Sequence, residues 1–189
     1  MEALRFLEEK KERNSKFDRN REYGLLVQGL VKKLIEETYG KGVDVIDCGY
    51  DLLVYEKGEA DLESDWGQFR AGAYLVEVKA ARTDDVRLTA KQAQTAADND
   101  PQYVLCVVDL RSSETDEPSV DEVEKRIRIT TGIGKRLRPL LERVDQAASG
   151  DEEVHVEQTG QLRYCVSEPL WTRGETLEGW IMAAFETSS

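Results

Sequence analysis

The chain has 189 residues, of which 40% are hydrophobic and 34% charged, and its formal net charge is -12. That length accommodates one substantial core with at most a small appendage, and the composition argues against wholesale disorder. The longest apolar runs reach only about half of the roughly 20 residues a membrane-spanning helix needs, and the charged N-terminus does not read as a secretory signal, so no membrane association and a cytoplasmic address are expected.

Residues 1–19 alternate acids and bases, with Leu4 and Leu7 the main apolar points, and read as a charged helical extension. From Tyr23 to Tyr39 the apolar residues recur at three and four, which predicts an amphipathic helix stopped by Gly40 and Gly42. Strands are expected at Val43–Cys48 and Tyr50–Tyr55, joined by a tight turn at Gly49. An acidic, polar excursion from Glu56 to Ala71 precedes an apolar strand at Tyr74–Lys79. After a loop from Ala80 to Val86, Thr89 can cap an alanine-rich helix over Ala90–Ala97 that breaks at Asn99-Asp100-Pro101. Tyr103–Val108 reads as a buried strand.

Residues 111–122 form a polar linker by composition. Beyond it a strand is expected at Arg126–Thr130 and a helix at Lys135–Ala148. A hairpin over Val154–Val166 should turn at Thr159-Gly160, and a last helix over Glu175–Phe185 carries Leu177, Trp180, Ile181 and Phe185 on one face. The resulting expectation is an α/β protein with its core at residues 20–110 and a small α/β extension at 123–187.

Cys48, Cys106 and Cys165 are odd in number and set among apolar neighbours, which suits reduced core thiols. His155 is the single histidine, so zinc sites and histidine-based triads lack ligands and a base. The negative net charge opposes unaided binding to nucleic acid. Locally the balance reverses: Lys125, Arg126, Arg128, Lys135, Arg136, Arg138 and Arg143 face a single acid, Glu142. Two readings stay open for this stretch, a solvated surface or a phosphate-contacting patch. Gly132-Ile133-Gly134-Lys135 lacks the full spacing of a phosphate-binding loop. His155, Trp171 and Trp180 read as structural, and Trp66 is the aromatic residue to test against DNA.

The chemistry-bearing signal lies on the Tyr74–Lys79 strand. Side chains two apart share a face, so Glu77 and Lys79 converge while Val76 and Val78 pack on the other side. If the strand after Gly49 folds back beside this one, Asp51 joins them. An ionised pair on a core strand costs several kcal/mol unless partners or a metal match it. A plain ion pair on a half-exposed edge strand is the competing reading.

The order Gly49-Tyr50-Asp51, Val76-Glu77-Val78-Lys79-Ala80, Arg87-Leu88-Thr89-Ala90-Lys91-Gln92-Ala93 and Tyr103–Val108 resembles that of the PD-(D/E)xK nuclease superfamily. It is most similar to the domain at the C-terminus of NO VEIN proteins and in many bacterial defence and restriction proteins. The likeness covers roughly residues 20–110. It implies a restriction-endonuclease-like central mixed sheet flanked by helices. It also implies Asp51 and Glu77 as ligands of Mg²⁺, with Mn²⁺ as a possible substitute, and Lys79 beside the attacking water. Gln92 stands where the family usually offers an acid or amide after the Leu-Thr pair. Gln28 aligns with a glutamate that many members carry on the first helix.

The function expected from this resemblance is a Mg²⁺-dependent DNA endonuclease of a restriction or phage-defence system. An acidic nuclease would approach DNA with a protein partner, a second copy of itself or divalent ions. The alternative is a catalytically silent module of the same fold that contacts DNA or docks a subunit. Cleavage of RNA or of a modified nucleic acid is a third possibility.

Overall fold

The computed structural model describes residues 19–46, 49–57, 72–113, 115, 117–142, 153–159 and 161–186. Residues 1–18, Cys48, Trp66, most of the acidic excursion and Arg143 lie outside them, as does the turn residue Gly160.

Helix α1 (residues 19–33) runs into a π-helical turn at Leu34–Thr38. Val27, Val31, Leu34 and Ile35 form its buried stripe, the three-and-four spacing of an amphipathic helix. A five-stranded sheet follows, built from β1 (Gly42–Val45), β2 (Leu52–Tyr55), β3 (Tyr74–Ala81), β5 (Tyr103–Asp109) and β6 (Ile127–Thr131), in the order β1-β2-β3-β5-β6. All neighbours are antiparallel except β3 and β5. A parallel pair needs a crossover. Here the chain between the two strands forms β4 (Val86–Leu88) and α2 (Ala90–Asp98).

Strand β5 is fully buried from Tyr103 to Val108, which explains its unbroken apolar sequence. Alternation divides the core into two layers. Val76, Val78, Val104, Cys106 and Val108 pack with α1, with Val123 of α3 (Val120–Arg126) and with Leu177, Trp180 and Ile181 of α6 (Leu177–Ile181). On the opposite face Leu75, Tyr103, Leu105 and Val107 pack with Ala93 and Ala96 of α2 and with Ile133 and Leu137 of α4 (Ile133–Glu142).

That second face also carries a three-stranded antiparallel sheet, β4-β8-β7, from β7 (Val154–Thr159) and β8 (Gln161–Val166). Its Val86, Leu88, Val154, Tyr164 and Val166 enter the same cluster, with Leu170 and Trp171 of α5 (Glu168–Trp171). The mixed α/β architecture expected from the sequence is therefore present. Strands β6, β7 and β8 complete both sheets, since β6 adds to β5 and β8 pairs with β4 and β7.

Several local expectations need correction. The region read as a loop from Ala80 to Val86 continues β3 to Ala81 and leads into β4. The polar linker ends inside α3, whose N-cap Ser119 accepts from the Glu122 amide. The last helix is a short α6 followed by a π-helical turn at Met182–Glu186. A fixed network joins the end of β5 to α5: the Arg111 guanidinium lies 4.7 Å from the Trp171 ring centroid. Arg111 also pairs with Asp109 and Asp84, each at 2.9 Å, and with Glu168 at 3.4 Å. Trp171 Nε1 donates to the Asp84 carbonyl at 2.8 Å.

Candidate active site

Asp51, Glu77, Lys79 and Gln92 meet on the face of the large sheet that α2 covers. The antiparallel register Leu52↔Val76 sets Asp51 beside Glu77, and the Val78 amide donates to Asp51 Oδ2 at 2.8 Å. Gly49, two residues before Asp51, has φ +100°, a conformation that L side chains rarely adopt. A Cβ there would also collide with the Thr95 hydroxyl on α2. Glycine thus allows the segment carrying Asp51 to lie against this helix.

Glu77 sits mid-strand on β3 with 0% exposure. Its Oε1 accepts from Lys79 Nζ at 2.7 Å and from Gln92 Nε2 at 2.5 Å. Its Oε2 is buried without a hydrogen-bond partner. Burial raises the Glu77 carboxyl from its ordinary 4.5 to about 7, the neighbouring Asp51 charge adds to the rise, and Lys79 and Gln92 oppose it.

Gln92 is fixed at the start of α2 by a capping box. Its backbone amide donates to Thr89 Oγ1 at 3.2 Å, while its Oε1 accepts from the Thr89 amide at 2.8 Å. The same Oε1 lies 3.4 Å from Lys79 Nζ. One amide side chain therefore closes the helix terminus and orients both members of the Glu-x-Lys pair. The capping role is a signal that Thr89-x-x-Gln92 carries in sequence.

Gln28 is placed elsewhere: α1 packs on the Val76 and Val78 face, away from Glu77, and no hydrogen bond among the described residues joins Gln28 to the cluster. The basic residues divide between the two faces. Lys125 and Arg126 belong to α3 on the Val76 side, whereas Arg128 of β6 pairs with Val107 and so lies on the Glu77 side. Arg126 is held by Glu122, Ser112 and the Asp109 carbonyl, and Arg128 by the Ile127 and Lys125 carbonyls. Lys135, Arg136 and Arg138 are on α4, on the Glu77 side, paired with Asp100, Glu153 and the Ala97 carbonyl.

A divalent cation suits this donor set. Hard carboxylate oxygens are its preferred ligands, and Mg²⁺ commonly binds one or two of them together with waters and substrate phosphate. The unpartnered, buried Oε2 of Glu77 supplies an oxygen with unused acceptor capacity beside a second carboxylate. No group of three or more His, Cys, Asp or Glu residues suited to a metal gathers among the described residues. Cys106 and Cys165 are buried free thiols, both with raised pKa, the inert form of the side chain.

A mixed sheet that presents an aspartate at one strand and Glu-x-Lys on the next, backed by a helix, is the arrangement of PD-(D/E)xK-like nucleases. The family model described as Protein NO VEIN, C-terminal, matches residues 9–120, and the chain belongs to this PD-(D/E)xK-like family. No curated protein and no solved structure gives a match. Among the described residues no helix is long and apolar enough to cross a membrane.

Proposed function

We propose that this chain hydrolyses phosphodiester bonds of DNA with a Mg²⁺ ion held by Asp51 and Glu77, Mn²⁺ being able to replace it. The observation that carries this reading is Glu77: a fully buried carboxylate, one oxygen bound by Lys79 and Gln92, the other open beside Asp51. When bound, the cation lowers the pKa of water and offsets charge on the reacting phosphate.

The chain's own groups do the rest. The Val78 amide fixes the Asp51 carboxylate, so that it needs no reorganisation to act as a ligand. Gln92 anchors Glu77 through its amide donor and steers the Lys79 ammonium through its carbonyl. Lys79, the partly exposed member of the ion pair, donates hydrogen bonds to the attacking water or to a phosphate oxygen. Arg128 on β6 and Lys135, Arg136 and Arg138 on α4 lie on the same side of the sheet and are the basic residues this reading assigns to the DNA backbone. With a net charge of -12, productive encounter calls for a protein partner, a second copy or divalent ions. Restriction or phage defence is the proposed setting.

Nicking of supercoiled plasmid tests this reading. Cleavage should require Mg²⁺ or Mn²⁺, stop in EDTA and fall by about 10²-fold or more in Asp51→Asn and Lys79→Ala. Cutting at the wild-type rate in either variant contradicts the assignment. One observation favours a second reading, a non-catalytic module for DNA contact or subunit docking: Lys79 and Gln92 already satisfy Glu77 Oε1. DNA binding without nicking, and without any metal-induced rise in melting temperature, would select it.

A further inference from the structure

On the Glu77 side of the sheet a second polar atom, the Tyr103 hydroxyl, is buried without a hydrogen-bond partner. Tyr103 opens β5 opposite Leu75, and its ring has 0% exposure in the cluster that contains Leu75 and Leu105. Glu77 pairs with Leu105, so Tyr103 and Glu77 are diagonal neighbours across β3 and β5. Diagonal positions are within reach of aromatic and long side chains. The Tyr103 pKa is raised by burial first and then by the charges of Glu77 and Asp51, which keeps the phenol a donor and marks its closeness to both carboxylates. A phenol donates and a carboxylate oxygen accepts, yet these two atoms do not touch. A single water held between them would satisfy both, as buried waters commonly do. Packing alone would be served as well by phenylalanine, so the hydroxyl calls for another role.

We propose that Tyr103 is a positioning residue for this site, its hydroxyl donating through one buried water to Glu77 Oε2 and holding that carboxylate in place for the divalent cation. The inference rests on the reading of Asp51 and Glu77 as cation ligands. Groups of this kind that orient a ligand typically change metal affinity by about 10- to 100-fold when removed.

Tyr103→Phe deletes one oxygen and preserves the shape of the ring. Thermal melts in EDTA of the wild type, Tyr103→Phe, Glu77→Gln and the double variant test the contact without metal or activity. The expected result is a change in melting temperature for the double variant that departs from the sum of the two singles by several degrees. Mn²⁺ titration followed by electron paramagnetic resonance should then give a Kd about 10- to 100-fold weaker for Tyr103→Phe than for the wild type. Additive melting temperatures overturn the inference, as does a wild-type Kd in Tyr103→Phe. Failure of the wild type itself to bind Mn²⁺ overturns the proposed function instead, and the melts still decide whether Tyr103 and Glu77 are joined.

Discussion

Replacing Glu77 by Gln keeps the shape of the side chain and removes its charge, and the structure sets the size and sign of the effect. The folded carboxyl titrates near 7 against an ordinary 4.5, chiefly because it is buried. Below pH 4.5 both folded and unfolded chains hold the proton, and the contribution to stability is at its fullest. Between 4.5 and 7 the unfolded chain releases the proton while the folded chain retains it, so stability falls as pH rises. Above 7 the loss is complete. A pKa rise of this size corresponds to about 3 kcal/mol.

Glu77→Gln lacks this titration, so the wild type should lose about 3 kcal/mol more than the variant between pH 4.5 and 8. For a chain of this size that is a relative shift of roughly 6–12 °C in melting temperature. The assay is circular-dichroism melting of both proteins in EDTA across this range. Divalent cation should flatten the slope of the wild type alone, because it holds the ionised form. Parallel pH profiles for the two proteins would refute the argument that burial governs Glu77.

Three further outcomes follow from the same geometry. Lys79→Met should reduce nicking by about 10²- to 10³-fold, the loss typical of one transition-state donor, while circular dichroism shows the native fold. Gly49→Ala should cost more than about 1–2 kcal/mol in denaturant unfolding, since it adds a clash with Thr95 to the left-handed backbone penalty. Arg111→Ala should cost about 1–3 kcal/mol by removing charged hydrogen bonds to Asp109 and Asp84 together with the stack on Trp171. Hydrogen exchange in that variant should quicken first at α5.

The parts of the site that follow strand alternation were legible in the sequence. Glu77 and Lys79 share a face because they are two residues apart, and Asp51, just before β2, comes beside them because β2 pairs antiparallel with β3. Gln92 was legible as a neighbour of the site, but its double task as N3 capping residue and Glu77 anchor depends on where α2 begins. The place of Gln28 depends on the face on which α1 packs, which is decided by Val27 and Val31 joining Val76 and Val78 in one core layer. Strand β4 has no legible signature because three residues carry almost no periodic signal, and its partner β8 is far away in sequence. Helix α3 lies in a polar stretch and buries only Val123, so it carries almost no apolar periodicity. The open oxygen of Glu77 and the Tyr103 hydroxyl have no sequence signature, since both arise from packing around them.

The account turns on a divalent cation shared by Asp51 and Glu77. Crystals of the full chain grown with Mn²⁺ and measured at the manganese absorption edge test this directly. A single anomalous peak in contact with a carboxylate oxygen of each residue, absent in Glu77→Gln, is the predicted result. Ordered density for both side chains with no peak between them, at Mn²⁺ concentrations that saturate the protein in solution, would contradict it.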